Sequence, residues 1–270
     1  MLPYLFHRGS LPLLISVPHA GTGVPDDIAS TFTGAANALP DTDWYVDQLY
    51  GFAEAMGASI IRATYSRYVV DLNRSPDSAP LYANNPTSPV CPTHTFAGDP
   101  LYKPGCEPTE EAIAARGEQY WHPYHHCLAD ELWRIRSEHG YALLWDAHSI
   151  LSHVPALFAG ELPAFNFGTR DDAACPREIA QSLLDEVQAE GQYSAVLNGR
   201  FKGGYITQSY GRPADKVIAV QLELAQRTYM EEEPRGAWSP QHAISVVPLL
   251  ERLLKRYLEA GSPYGNGLMS

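Results

Sequence analysis

Basic residues are scarce in this chain of 270 residues, which carries 19 Lys and Arg against 31 Asp and Glu and has a formal net charge of −12. Such an excess of acidic side chains disfavours general binding to nucleic acid or to an anionic membrane surface. A few well-placed bases can still form a local positive pocket for a small ligand. The composition therefore predicts no nucleic-acid partner and no membrane partner, and it leaves a small anionic substrate open.

Long hydrophobic runs and paired cysteines are also missing. The mean hydropathy is −0.23, and no apolar run approaches the roughly 18 residues that a membrane-spanning helix needs. The four cysteines form no Cys-x-x-Cys pair and are too few for a disulfide scaffold. Since the N-terminal stretch lacks a basic segment followed by a small-residue cleavage site, we expect no signal peptide and a cytoplasmic protein with free thiols.

The sequence does contain Ile/Val/Leu-rich runs that alternate with longer amphipathic stretches, a pattern that predicts an α/β fold in one domain over residues 1–270. Buried strands are predicted at Leu13–Val17, Ser59–Ala63, Tyr68–Leu72, Tyr141–Trp145 and Lys216–Leu224. Helices are predicted at Asp43–Met56, Thr109–His139 with a kink or break at Pro123, Pro176–Glu190 and Ala243–Ala260. Residues 75–108 are rich in Pro, Asn, Thr, Ser and Gly, which is typical of a functional or mobile loop.

Polar residues stand where the predicted strands stop. They are His19, Asn73 with Arg74, Asp146 with His148, and Glu223. In open α/β sheets, ligands bind beyond the carboxyl ends of the strands. The four strand ends therefore predict a functional site at one edge of the sheet.

Two histidines with one carboxylate are the protein ligands expected of a catalytic zinc ion, and a further Glu suits a general base for its water. His19 and His148 supply the histidines, and Glu223 is the candidate base. The carboxylate is open between Asp41 and Asp43, because either could instead cap the helix predicted after them. Asp146, two residues before His148, is a candidate to orient the imidazole.

Six segments, taken together and in order, resemble the N-formylglutamate amidohydrolases over most of the chain. They are Ser16–Gly21 (SVPHAG), Asp41–Trp44 (DTDW), Ser66–Arg74 (SRYVVDLNR), Trp145–Ser149 (WDAHS), Gly203–Thr207 (GGYIT) and Gln221–Leu224 (QLEL). The resemblance implies hydrolysis of N-formyl-L-glutamate to formate and L-glutamate in histidine degradation. Through a distant similarity to zinc carboxypeptidases and aspartoacylases, it also implies a three-layer α/β/α sandwich around a mixed, mainly parallel sheet.

The resemblance also implies roles for individual residues. His19 and His148 match the zinc-binding histidines, and Glu223 matches the general base. The carboxypeptidase pattern His-x-x-Glu fails here, because Thr22 stands at the Glu position. Asp43 is therefore the first candidate for the third ligand and Asp41 the second, with Zn²⁺ as the expected ion and other divalent metals open.

Six further positions concern the substrate. Arg67 is expected to stabilise the oxyanion, and Arg74, helped by Asn73, to bind a glutamate carboxylate. The second carboxylate needs another partner, and the Gly-rich segment offers Arg200, Lys202 and Thr207, although a surface hairpin explains that segment equally well.

Several alternatives remain open from the sequence. The chain could be a zinc amidase or carboxypeptidase for another N-acyl amino acid or peptide, or an inactive binding module on the same fold. The acyl preference, the native metal and the choice between a monomer and a small homo-oligomer are also open. Residues 75–108 follow Arg74 and could close over the substrate as a lid.

Overall fold

The alternating segments form a mixed β-sheet with helices on both sides in a computed structural model that describes residues 1–79, 88–232 and 236–265. The strands are β1 (Tyr4–His7), β2 (Leu13–Val17), β3 (Ser59–Ala63), β4 (Ala142–Ile150), β5 (Phe165–Gly168), β6 (Ala195–Leu197), β7 (Val217–Ala225), β8 (Met230–Glu231) and β9 (Ala237–Trp238). The helices are α1 (Asp26–Ala29), α2 (Gly34–Asn37), α3 (Val46–Leu49), α4 (Phe52–Met56), α5 (Glu110–Arg116), α6 (His122–His139), α7 (Arg177–Glu190), α8 (Tyr205–Tyr210) and α9 (Pro240–Gly261). No helix of the described ranges is both long and apolar enough to cross a membrane.

Seven strands make the main sheet in the order β1-β3-β2-β4-β7-β5-β6. The pairs β2–β3, β2–β4, β4–β7 and β5–β6 are parallel, whereas β1–β3 and β5–β7 are antiparallel. The predicted mixed, mainly parallel α/β sheet is therefore confirmed. Strands β8 and β9 form a separate two-stranded sheet.

Alternate side chains of the central strands pack into two different apolar layers, which explains why these strands are apolar throughout. On β4, Leu143 and Trp145 face the layer built with α7 and α9. Leu144 faces the opposite layer, built largely with α6. Successive strand residues point to opposite faces, so a strand covered on both faces has no polar side for water.

The predicted strand at Tyr68–Leu72 is wrong: this buried segment consists of turns and irregular backbone. No free edge is available beside β3, because β1 and β2 occupy its two sides. Side chains satisfy the backbone carbonyls instead. Arg116 donates to the Val69 carbonyl at 3.3 Å, and His125 Nε2 lies 2.9 Å from the carbonyl of Leu72.

Two predicted helices are each divided. The stretch at Asp43–Met56 forms only α3 and α4, which are separated at Tyr50 and Gly51; α3 begins after Tyr45, whose backbone is left-handed with φ of 60°. The stretch at Thr109–His139 forms α5 and α6, joined by a π-helical turn at Gly117–Trp121 that ends just before Pro123. A proline at the start of α6 has no N–H to leave unsatisfied there. The predicted helices near Pro176–Glu190 and Ala243–Ala260 correspond to α7 and α9.

Candidate active site

One face of the sheet changes from apolar to polar as its parallel strands approach their carboxyl ends. Strand β4 was predicted to end at Trp145, but it continues to Ile150 and carries Asp146 and His148 within it. The register pairs His148 with Glu223 on β7. All of the following polar side chains lie on this face and are buried: Ser16, Asp146, His148, Gln221 and Glu223. Parallel strands thus bring the predicted residues to one edge of the sheet.

His19, Asp43 and His148 form a buried cluster whose ligand atoms all lie within 4.8 Å of one another. His148 Nδ1 is 3.0 Å from Asp43 Oδ2, and His19 Nδ1 is 3.7 Å from the same oxygen. The backbone links two of the three, since the Asp43 N–H donates to the carbonyl of His19 at 3.1 Å. This is the donor set of a two-histidine, one-carboxylate zinc site.

Two further carboxylates hold the outer nitrogens of the imidazoles. Asp71 Oδ1 is 2.8 Å from His19 Nε2, and Asp146 Oδ2 is 3.0 Å from His148 Nε2. A proton on each Nε2 leaves the lone pair of each Nδ1 facing Asp43, which is the arrangement of carboxylate–histidine–metal sites. His19 Nδ1 is buried and has no hydrogen-bond partner within the described ranges. The cluster therefore fits a bound divalent metal ion.

The acid–base properties of the cluster reflect the same contacts. Burial alone would lower the pKa of His148, but the carboxylates of Asp146 and Asp43 outweigh it and raise that pKa well above its usual value. Burial alone would raise the pKa of Asp43, yet the hydrogen bond with His148 and the charges of His19 and His148 bring that pKa below its ordinary value. Positive charge is thus favoured at the centre of this cluster.

Asp41, the second candidate ligand, has a different place in the structure. Its Oδ2 accepts hydrogen bonds from the Tyr68 hydroxyl at 2.7 Å and from the Phe96 N–H at 2.8 Å. These bonds fasten the loop of Phe96 beside the site. The structure brings Asp43, and not Asp41, to the two histidines.

Sequence reasoning identified Asp146 as a partner of an imidazole and missed Asp71. Asp71 accepts a second hydrogen bond from Arg67 at 2.7 Å, so one carboxylate joins His19 to the arginine. The signal was available as a lone carboxylate in the otherwise apolar stretch Tyr68–Leu72. Burial would raise the pKa of Asp71, but the charges of Arg67 and His19 hold it well below its usual range.

Glu223 lies beside His148 and lines the cavity in front of the cluster. Burial raises its pKa to about 8, against a smaller lowering by the charge of His148. A carboxyl group with a pKa near neutrality can both accept and return a proton at physiological pH. A cation bound by the cluster would lower this pKa, because it favours the charged carboxylate.

Arg67 and Asn73 both reach the cluster. Arg67 Nη1 is 3.7 Å from Asp43 Oδ1, and the guanidinium lies over the ring of Phe96 at 4.7 Å. Beside His148 Nε2, the side-chain nitrogen of Asn73 donates to Asp146 Oδ2 and to Gln221 Oε1, each at 3.4 Å. Its oxygen accepts from the N–H of Ile206 at 2.8 Å, so helix α8 fixes the orientation of the amide.

The cavity measures about 430 Å³ and is lined by His19 and His148 of the cluster, by Glu223 and Arg67, and by three further cationic side chains. Arg74 donates to the carbonyl of Asn73 at 2.9 Å. Arg200 donates to the carbonyl of Leu157 at 2.7 Å, and Lys202 Nζ lies 3.0 Å from Asp171. A cavity of this size can bind a small molecule, and its cationic side chains can bind a carboxylate group of that molecule.

Two other predicted features are placed less directly. Thr207 is fully buried on α8 and is not among the residues that line the cavity. Within the predicted lid at 75–108, Ser88, Pro89 and residues 92–96 line the cavity, whereas residues 80–87 lie outside the described residues. Closure of this segment stays a prediction. The four cysteines are free thiols, as expected.

Solved structures share this α/β fold. An N-formylglutamate amidohydrolase from Ralstonia eutropha JMP134 superimposes with a TM-score of 0.81 at 23% identity, covering 99% of this chain and all of that one. A protein from Agrobacterium tumefaciens gives a TM-score of 0.74 at 16% identity, covering 96% of each chain. At these identities the likeness shows the fold alone.

Sequence comparison defines the family. The model of the N-formylglutamate amidohydrolase family matches residues 11–230. An N-formylglutamate deformylase from Pseudomonas putida is 49% identical over 257 residues, covering 95% of this chain and 96% of that protein. The enzyme of the same name from Pseudomonas aeruginosa is 49% identical over 256 residues, with the same coverage. The chain belongs to the N-formylglutamate amidohydrolase family.

Proposed function

We propose that this chain is a zinc-dependent hydrolase that cleaves N-formyl-L-glutamate to formate and L-glutamate. The observation that carries the proposal is the cluster of His19, Asp43 and His148 beside Glu223, at a cavity that is also lined by several cationic side chains. The two Pseudomonas relatives, which bear the name N-formylglutamate deformylase, support the substrate. The histidine-degradation pathway and the cytoplasm are the proposed setting, and a single catalytic domain over 1–270 is the proposed unit.

The metal would be held by His19 Nδ1, Asp43 Oδ2 and His148 Nδ1. Bound zinc lowers the pKa of water and polarises a carbonyl oxygen, which makes attack on an amide feasible near neutral pH. Asp71 and Asp146 keep both imidazoles in the tautomer that offers Nδ1 to a cation.

Glu223 moves the proton in the proposed reaction. It takes a proton from the water whose oxygen bonds to the formyl carbon. It then returns a proton to the amide nitrogen as the carbon–nitrogen bond breaks, so that formate and the free amine of glutamate leave. Its burial next to His148 and its place in the cavity lining support this role, because they put the carboxylate beside the proposed metal ligands.

Arginines position the substrate and stabilise charge. Arg67 is buried beside Asp43, a proposed metal ligand, and this position supports its role in stabilising the negative charge that develops on the formyl oxygen. Arg74, held by the carbonyl of Asn73, binds one glutamate carboxylate with the planar donor pair of guanidinium. Arg200 and Lys202 are the cavity-lining candidates for the second carboxylate, and Thr207, buried next to the cavity-lining Gly203, is a third candidate.

The decisive experiment combines elemental analysis for zinc with a formate-release assay on N-formyl-L-glutamate. Wild-type protein should contain zinc and release formate. Glu223→Gln should keep its zinc and lose about 10²- to 10⁴-fold in turnover, because only the proton-transfer group is altered. Glu110→Gln, an exposed change at the start of α5, is the matched control and should behave as wild type.

Two outcomes would contradict the proposal. Full turnover in Glu223→Gln would remove this residue as the base, and a full zinc content in His148→Ala would remove the ligand set. A panel of formyl, acetyl and peptidyl glutamates and aspartates distinguishes the proposed substrate from another acyl-amino acid. Protein without zinc and without turnover on the whole panel would support a binding module.

A further inference from the structure

A second cavity of about 500 Å³ lies directly behind one wall of the catalytic cavity. The two cavities share the wall residues Asp41, Thr95, Phe96, Ser149, Ile150 and Ala156. Beyond this wall, the second cavity is lined mainly by small and apolar side chains, including Leu151, Val154 and Pro155. The three proposed metal ligands do not line the second cavity, and neither do Arg74, Arg200 and Lys202.

Phe96 is the large aromatic side chain in the shared wall, and it is held in place. Its N–H donates to Asp41 at 2.8 Å. The tight turn that follows is closed by the N–H of Gly98, which donates to the carbonyl of Thr95 at 3.0 Å. The ring of Phe96 packs against the apolar cluster around Ile150. The hydrogen bonds hold the backbone at Phe96, and the packing of its ring on this cluster makes the ring part of the wall.

The ring of Phe96 lies on the side of the cavity where the acyl group of the substrate is expected to bind. The guanidinium of Arg67 lies over the ring of Phe96, 4.7 Å from its centre. In the proposed function, Arg67 contacts the oxygen of the scissile carbonyl. A ring against that arginine therefore lies next to the carbonyl carbon and its substituent. In a formyl group that substituent is a hydrogen atom, which a close wall admits, whereas a longer acyl chain would meet the ring.

We propose that Phe96 is the residue that restricts the acyl group to formyl, and that the second cavity can receive a longer aliphatic acyl chain once this ring is removed. The inference rests on the proposed function and deepens it by assigning the acyl specificity. The reaction on such a chain is the same hydrolysis: water adds to the acyl carbon, the carbon–nitrogen bond breaks, and the carboxylate of the acyl chain leaves with free glutamate.

The test compares kcat/KM for N-formyl-, N-acetyl- and N-butyryl-L-glutamate, with released glutamate as the common readout. In Phe96→Ala, the butyryl-to-formyl ratio should rise by about 10- to 200-fold over wild type, the range that a hydrophobic pocket gains or loses with small changes in fit. Using a ratio cancels any general loss that follows from disturbing Arg67. Phe96→Leu, a smaller change, serves if the alanine variant fails to fold.

Phe52→Ala is the matched control, because Phe52 is also half-buried but lies on α4, away from both cavities. Its ratio should equal that of wild type. A folded Phe96→Ala or Phe96→Leu with an unchanged ratio would overturn the proposal, and so would a wild type that cleaves the butyryl compound as well as the formyl one.

Failure of the proposed function looks different. If wild type released no glutamate from N-formyl-L-glutamate, calorimetric binding of N-butyryl-L-glutamate would still test the wall without turnover. Binding at least tenfold tighter in Phe96→Ala than in wild type supports the proposal, and equal binding overturns it.

Discussion

Replacement of Asp71 by Asn tests whether the outer carboxylates support the metal site. Asp71 Oδ1 faces His19 Nε2 at 2.8 Å and also accepts from the N–H of Asn73 at 2.9 Å, while Oδ2 accepts from Arg67 at 2.7 Å. An Asn side chain has the same shape but a single acceptor oxygen and no charge. If that oxygen continues to accept from His19 and from the N–H of Asn73, the side-chain NH₂ group of the new residue faces the guanidinium of Arg67. Both groups are hydrogen-bond donors, so no hydrogen bond forms between them.

Two magnitudes follow from this geometry. Loss of an outer carboxylate behind a ligating histidine weakens metal binding by about 10- to 100-fold, which is about 1.4–2.7 kcal/mol. Removing one partner of a buried ion pair costs about 3–5 kcal/mol of stability. Because Asp43 Oδ1 remains 3.7 Å from the guanidinium of Arg67, we expect the lower end of that range for the free energy of unfolding.

The assay is a competition titration of metal-free protein against a chromogenic zinc chelator, with denaturant unfolding measured on the same samples. Asp47→Asn is the control, since Asp47 is exposed on α3 and is not part of the cluster. Wild-type zinc affinity in folded Asp71→Asn would refute the role assigned to this carboxylate. An equal loss in Asp47→Asn would show that the effect is one of general charge.

Two further predictions concern neighbours of the cluster. A Cβ on Gly204 would lie 2.3 Å from the side-chain nitrogen of Asn73, so Gly204→Ala should displace the Asn73 amide and lower the affinity for zinc. A Cβ on Gly34 would meet no atom within 4 Å, so Gly34→Ala should leave that affinity unchanged. Equal zinc affinities of the two variants in the same chelator titration would contradict this prediction. Burial lowers the pKa of His125 to about 3, so between about pH 6.5 and 3 the unfolded chain binds a proton that the folded one rejects. Stability should therefore fall by about 1.4 kcal/mol per pH unit as the pH drops through that window, and His125→Gln, which can still donate to the carbonyl of Leu72, should lose this part of the slope in denaturant unfolding at pH 7 and 5. An identical slope in the variant would show that His125 does not cause it.

Central strands and long amphipathic helices were predictable, because their patterns are local. Strands β2, β3 and β7 and helices α7 and α9 lie close to their predicted bounds. Three strands of the main sheet were missed, at Tyr4–His7, Phe165–Gly168 and Ala195–Leu197. They are only three or four residues long and lie toward the margins of the sheet, so they carry too little periodicity to identify them.

The residues that supply the chemistry could be recognised from their positions along the chain. Polar residues near the ends of apolar runs indicated His19, His148 and Glu223, and the spacing predicted that parallel strands would bring them to one edge. Which carboxylate joins them depends on how the chain folds. Asp41 and Asp43 are two residues apart with similar local surroundings, and long-range contacts separate them: Tyr68 and Phe96 hold Asp41, while His148 and the carbonyl of His19 hold Asp43.

The same reason explains the role of Asp71 and the wall at Phe96. Both lie in segments without regular secondary structure, where side-chain contacts from distant parts of the chain fix the backbone. Periodicity reports burial along one strand or helix, but it carries no information on which distant group a side chain will meet. The types of metal-ligating residue could therefore be predicted from the sequence. The partners of those residues and the shape of the cavity depend on tertiary packing.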